Sequence, residues 1–363
     1  MNLSASTHWL GSLVANHQKS WIKLGNLETA LLKHDLANIA VNKPIYVCGL
    51  ARSGSTILLE TLANLQGIAS HRYQDFPFLF TPYWWNTLLS ISTRKPAQKQ
   101  ERAHGDGIHV NSESPEAMEE MLWMAFFPHL HNTSASEVLN ECTSSPSFEK
   151  FYADHIRKLL LTRKAQRYLS KGNYNITRMA YIQRVFPDAR FIIPIRDPVT
   201  HVESLVRQHR RFVEAGKKDS RIVNHMSITG HFEFGLNRKP VHMGDDARIK
   251  EIITAWESGD DVRGFALYWD MTYCFMYNQM LANKALGKAC LVVPFENLCA
   301  SPLDTIAHII EHCDINGEAQ WLQNAASIIK KPDYYTSHLS DAERILIQDI
   351  CKETATLFGY YDS

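Results

Sequence analysis

The chain predicts an α/β fold: a three-layer α/β/α sandwich on a parallel sheet of four or five strands, with a phosphate-binding loop and helical additions. Three observations point there. PIYVCGL at 44–50, ARFIIPI at 189–195 and ACLVVPF at 289–295 are short runs dense in apolar and β-branched residues, as buried strands are. Long stretches of helical spacing separate them, which calls for parallel strands covered on both faces. The first run also passes straight into a turn rich in glycine and serine, ahead of another helical stretch.

Taken in order, Trp9, Leu10, Leu13, Trp21, Leu24, Leu27, Leu31 and Leu36 fall at helical spacing and predict an N-terminal helical layer over 1–43. The main domain then covers 44–363 and is expected to form one structural unit with that layer, since no low-complexity linker divides them. STILLETLANLQ (55–66) reads as a helix with Leu58, Leu59 and Leu62 inward. The polar and aromatic stretch 71–115 is too long for an ordinary loop and is expected to carry function or minor helices. Ser114-Pro115-Glu116 resembles a helix start running on to Phe127, and a second helix is expected over 148–170. NYNIT (173–177) is a candidate strand and 180–186 a short helix. Pro198 opens a helix to about residue 212, and 213–245 reads as irregular. Helices are expected over 246–258, 262–286, 302–313, 318–329 and 340–358.

Composition narrows the function. Of 363 residues, 45% are apolar, enough for a large core, and 38 Lys plus Arg balance 38 Asp plus Glu. There is no net basic field for nucleic acid, although one anionic nucleotide needs only a few local cations. The seven cysteines are scattered and none has CxxC spacing, so reduced thiols in a cytoplasmic protein are expected rather than disulfides or zinc. The first residues make a poor signal peptide, and MLWMAFF from Met121 is too short to span a bilayer. HGDG (104–107) holds a His and an Asp but no metal cluster, so no metal site is expected.

The turn after the first strand is GLARSGST (49–56). Small residues let backbone N–H groups converge on an anion, and the following helix adds the positive end of its dipole. In nucleoside-triphosphate enzymes a Lys follows the second Gly; here Ser55 stands there, and a cation appears inside the loop as Arg52. The bland alternative is a Gly-Ser turn with an exposed Arg. A second phosphate grip is possible where ARFIIPI ends in Arg196-Asp197-Pro198, with Ser204 eight residues past Arg196 on the next helix. A salt-bridged Arg196 and a satisfied helical Ser204 are the alternative there.

Together, GLARSGST (49–56), FPDARFIIPIRDPVTHVESL (186–205) and VVPFENLCASP (292–302) resemble the sulfotransferase family that uses 3′-phosphoadenosine-5′-phosphosulfate (PAPS), on the side of its bacterial and tyrosylprotein-type members. The resemblance spans about 44–360. It implies that Arg52, Ser53, Gly54, Ser55 and Thr56 hold the 5′-phosphosulfate, with Arg52 stabilising the leaving oxygen, and that Arg196 and Ser204 hold the 3′-phosphate. It implies sulfuryl transfer to a hydroxyl- or amine-bearing acceptor. A P-loop kinase or NTPase, and a non-catalytic nucleotide- or glycan-binding protein, are the competing readings.

Tyrosylprotein-type members carry a catalytic Glu after the first helix, but IASHRYQDFPF (68–78) has none. Asp75 is the first choice of general base, with its pKa to be raised by Phe76, Phe78 and Phe80, and His71 is the second. Asp75 as a cap before Pro77 is the structural alternative, and Glu113, Glu116, Glu119 and Glu120 are further carboxylates to weigh. Lys171, Asn173 and Arg178 lie near a strand end and either point into the site or serve the surface. Trp84, Trp85, Trp123, Phe126 and Phe127 suit an aromatic pocket or the core.

Overall fold

The computed structural model describes residues 5–91, 98–102, 105, 107–329 and 338–361. Strands β1 (Ile45–Val47), β2 (Ile68–Ala69), β5 (Arg167–Lys171), β6 (Arg190–Ile195) and β7 (Cys290–Pro294) form a five-stranded sheet in the order β2-β5-β1-β6-β7. Every pairing in it is parallel. A separate antiparallel pair, β3 (Gln100–Glu101) and β4 (His109–Val110), lies in the long stretch after β2.

β1 sits in the centre, and its three side chains are fully buried. Side chains alternate between faces along a strand. Ile45 and Val47 therefore join a cluster with Leu58, Leu59 and Leu62 of helix Ser55–Ala63 and Ile306, Ile309 and Ile310 of helix Pro302–His312. Tyr46 faces the other way, into the larger cluster built on helices Pro146–Arg163, Pro198–Lys218 and Asp261–Ala282. Each such buried Leu or Ile is worth about 1.5–3 kcal/mol relative to exposure. The three-layer α/β/α architecture is thus set by two apolar layers gripping one sheet. Because Val47 pairs with both Lys171 and Ile192, the carboxyl ends of β1, β5 and β6 open at one edge.

Several elements differ from the sequence reading. NYNIT is a 3₁₀ turn, and the strand lies just before it, at β5. Helix Pro146–Arg163 stops where Lys164 turns left-handed (φ 51°), which frees the chain to extend. Polar Ser170 and Lys171 hid this strand; both are buried at its functional end. The helix expected from Ser114 begins instead at Glu120. Backbone pairing claims the residues ahead of it: Tyr73 N–H donates to Ser114, Gln74 to Ser112, and Glu116 to His71. The stretch 213–245 is not irregular throughout, since helix Pro198–Lys218 runs on and helix Ser220–Thr229 follows. The long stretch 71–115 does carry a helix, Pro82–Ile91.

The N-terminal stretch forms helices Ala5–Asn16, Gln18–Leu31 and Lys33–Leu36. Glu28 ties the second to helix Pro146–Arg163 through a fully buried ion pair with Lys158 at 2.9 Å. Among the described residues, no helix is long and apolar enough to cross a membrane.

Candidate active site

The glycine-serine turn after β1 has a backbone geometry suited to cradling an anion. Arg52 adopts φ 72° and Gly54 φ 102°, so successive N–H groups turn toward one side before helix Ser55–Ala63 begins. A side chain at Gly54 has no room: its Cβ would lie 2.7 Å from the ring of Phe295. The Ser53 hydroxyl is buried and donates to the Leu50 carbonyl at 2.7 Å, so it pins the turn from inside rather than facing outward. His201, on helix Pro198–Lys218, contacts the Ala51 carbonyl through Nε2 at 2.8 Å. Burial holds His201 at a pKa of about 3, so the ring is neutral and donates its N–H there.

That helix also carries Ser204, and Arg196 lies at the strand end just before it. Asp197 caps it by accepting from Thr200 N–H at 2.9 Å, and Pro198 occupies its first turn. Ser204 then lies beneath the loop and accepts from Arg52 Nε at 3.4 Å. Arg196 lies 5.1 Å over the Phe295 ring and donates to Thr200 Oγ1 at 3.2 Å. One aromatic ring therefore supports both Gly54 and Arg196.

In front of the loop is a cavity of about 380 Å³. Arg52, Ser55 and Thr56 form one end, and Phe76, Met118, Phe212, Met226 and Phe234 contribute apolar wall. Lys171 enters from the end of β5. Burial lowers its ammonium below the usual value, and the Glu116 carboxylate acts against that. Glu116 accepts from Ala117 N–H at 2.7 Å and from the Tyr73 hydroxyl. Burial raises its pKa, but Lys171 and Arg102 outweigh that and hold it low. Arg102 donates to Thr56 Oγ1 at 3.3 Å. Opposite, His231 Nδ1 lies 3.6 Å from Glu233, which accepts from Asn173 at 2.6 Å. The first helix covers part of the opening: Thr7 lines the cavity, and Gly11 lets Phe76 approach so closely that a Cβ would meet it at 2.6 Å. Asn224 ties this helix down through His8 at 2.9 Å and Ser12 at 3.3 Å.

A model of the sulfotransferase family matches residues 44–228, just over half of the chain and inclusive of both grips. The chain belongs to the sulfotransferase family. Among solved structures, sulfotransferase STF9 from Mycobacterium avium superposes with a TM-score of 0.52 at 13% identity, over 92% of this chain and 82% of that one. Sulfotransferase STF1 from Mycobacterium tuberculosis H37Rv gives 0.45 at 15% identity, over 90% and 81% of the two chains. The sulfotransferase domain of the Synechococcus PCC 7002 olefin synthase gives 0.43 at 14%, over 90% and 97%. No curated protein sequence matches the chain.

In this sulfotransferase the two expected bases are not at the cavity. Asp75 is 1% exposed and accepts on both oxygens from Arg163 Nη2, at 2.7 and 3.0 Å, and also from Asn86 at 3.1 Å and the Arg72 N–H at 2.8 Å. Burial pushes its pKa up, but His71 and Arg163 hold it far below the carboxylate range, the reverse of the elevation a base there needs. His71 is equally sealed, with Nε2 3.1 Å from Nε2 of His155. The aromatic run Phe76, Phe78 and Phe80 lines other packing, and only Phe76 reaches the cavity. Of the three residues near the strand end, Lys171 and Asn173 line the cavity, while Arg178 is buried in a two-pronged pair with Glu120 at 2.8 Å. Trp84, Trp85, Trp123, Phe126 and Phe127 do not line it, and Trp123 and Phe127 belong to the core. His104 and Asp106 of HGDG lie outside the described residues. Sequence reasoning missed Arg102, His201, His231 and Glu233. A HxE pair straight after a helix ending in glycine was the available signal for the last two.

Proposed function

We propose that the enzyme transfers the sulfuryl group of PAPS to a hydroxyl or amine acceptor by in-line displacement at sulfur. The observation that carries this reading is the Arg52–Ser204 contact, which joins the loop suited to a 5′-phosphosulfate to the helix suited to a 3′-phosphate. The acceptor atom attacks sulfur, the bond from sulfur to the 5′-phosphate oxygen breaks, and negative charge grows on that oxygen. Arg52, the N–H groups of Ser55 and Thr56 and the end of helix Ser55–Ala63 face that charge, with Lys171 beside them. Ser53 and Gly54 hold the loop's shape rather than offering side chains. Arg196 and Ser204 take the 3′-phosphate. The acceptor's apolar body packs between Phe76, Met118, Phe212, Met226 and Phe234.

Melting with nucleotides tests the donor. The product 3′,5′-adenosine bisphosphate (PAP) should stabilise the fold by about 2.7 kcal/mol at ~100 times its dissociation constant. A shift with ATP and Mg²⁺ but none with PAP would overturn the reading. Arg52→Ala should then cut turnover by ~10²–10³-fold, the usual loss for one preorganised charge-stabilising donor. Full activity in that variant would remove Arg52 from the role.

A further inference from the structure

We infer that His231 is the general base of this enzyme, taking the acceptor's proton on Nε2 while Glu233 holds the ring through Nδ1. The inference rests on the PAPS reading above and adds the proton's destination.

His231 is placed by backbone, not by chance. Gly230 ends helix Ser220–Thr229 in the left-handed region (φ 78°), and His231 N–H returns to the Met226 carbonyl at 2.8 Å. The next residue is clamped on both sides: Phe232 N–H donates to the Tyr174 hydroxyl at 2.9 Å, and its carbonyl accepts from Lys239 N–H at 2.8 Å. Nδ1 faces Glu233 at 3.6 Å, so the other ring nitrogen is the one left for substrate. Glu233 is itself fixed by Asn173. The His231 side chain is 37% exposed and lines the same cavity as Arg52 and Lys171.

The other titratable groups of the cavity are less suited. Glu116 is occupied by Ala117 N–H, Tyr73, Lys171 and Arg102. His225 packs edge-on to Phe76 at 5.1 Å, and burial lowers its pKa to about 4, which makes it a weak base. Glu101 accepts from Gly107 N–H at 3.0 Å on the exposed rim. The groups facing His231 are Glu233, Glu116, Lys171 and His225. Burial alone lowers the His231 pKa, but Glu233 and then Glu116 outweigh it against Lys171, so the imidazole sits above its ordinary value. A base near the working pH is the efficient one.

The step balances. The acceptor O–H or N–H bond breaks and its electron pair forms the bond to sulfur. The sulfur–oxygen bond to the 5′-phosphate breaks and leaves its pair on PAP. The proton rests on His231 as imidazolium until solvent removes it.

The test uses the full chain with His231→Ala, His231→Gln and Glu233→Gln. PAP affinity is read by calorimetry, turnover by release of label from ³⁵S-PAPS to water and to a series of substituted phenols, and the ring by NMR. His231→Ala and His231→Gln should lose ~10²–10⁴-fold in turnover with PAP affinity kept within about twofold, and the loss should shrink as the phenol becomes more acidic. Glu233→Gln removes a stabilising charge, so the acid limb of the pH–rate profile and the NMR titration of His231 should both move to lower pH. Near-normal turnover in His231→Ala with PAP still bound overturns the assignment. If wild type turns over neither water nor phenols, the NMR titration decides: a ring titrating below its ordinary 6.5 overturns it, and one above supports it. Failure of wild type to bind PAP would instead bring down the donor reading, and this inference with it.

Discussion

Two of the histidine–carboxylate pairs among the described residues have nearly equal separations and opposite surroundings. His71 Nδ1 lies 3.7 Å from Asp75, and His231 Nδ1 lies 3.6 Å from Glu233. In both pairs burial and the partner compete over the carboxylate, and in both the carboxylate is held low. What separates them is the other side of each group. Asp75 is enclosed by Arg163, Asn86 and a backbone N–H, and His71 stacks on His155 at 5.0 Å. Glu233 accepts from Asn173, and His231 opens on the cavity beside Lys171 and Arg52. A charged pair closed on all sides fixes structure, whereas the same pair with one free edge has a place for a substrate atom.

The largest stability effect should come from opening the closed pair. Asp75→Asn leaves the buried Arg163 guanidinium without its counter-charge and should cost about 3–5 kcal/mol in chemical denaturation. Turnover per folded molecule should stay near wild type. A selective loss of turnover with unchanged stability would erase the distinction between the pairs.

Next in size are the donor contacts, which belong to neither pair and so provide a control. Arg196→Ala should weaken PAP binding by about 1.5–3 kcal/mol, as expected for a charge-assisted contact, and Ser204→Ala by about 0.5–1.5 kcal/mol. Neither should move the acid limb that His231 governs. Equal PAP affinity in wild type and Arg196→Ala would remove the 3′-phosphate assignment.

The most gradual effect is the acid dependence of stability. His155, in the closed cluster, is held neutral well below its ordinary 6.5 by burial and by His71. The unfolded chain therefore takes up a proton there that the fold refuses, and stability falls as pH drops below 6.5. Depressed carboxyls act lower down. Glu120 and Glu233 stand at about 2 against an ordinary 4.5, so their contribution is full above 4.5 and is lost as pH falls toward 2. His155→Gln should flatten the first segment in urea melts measured between pH 7 and 5. An unchanged slope would shift the origin of acid sensitivity away from the closed cluster.

Legibility followed contiguity. The loop at 49–56 was readable because its geometry is written in adjacent residues: Gly49, Arg52 and Gly54 all take positive φ. The strand and helix that carry Arg196 and Ser204 were readable because both lie in one contiguous apolar-then-capped stretch. The base was not, because position along the chain does not report what encloses a side chain. Asp75 looked favourable beside three phenylalanines, while the deciding neighbour, Arg163, lies 88 residues away. β5 was hidden for a related reason: strand patterning expects apolar residues in a buried strand, and this one ends in the Ser170-Lys171 that the site requires. His231 and Glu233 fell in a stretch read as irregular, where the helix Ser220–Thr229 in fact aims them.

The cover formed by helix Ala5–Asn16 has a practical side. Two side-chain contacts from Asn224, the Gly11–Phe76 fit and the buried Val14 help fasten it beside the cavity. Thr7, in the first turn of this helix, lines the cavity that the proposal above gives to the acceptor. A form of the catalyst tagged or immobilised through this helix therefore carries its attachment point as part of its selectivity, and trimming or swapping this helix offers a way to widen the acceptor range without touching the donor loop.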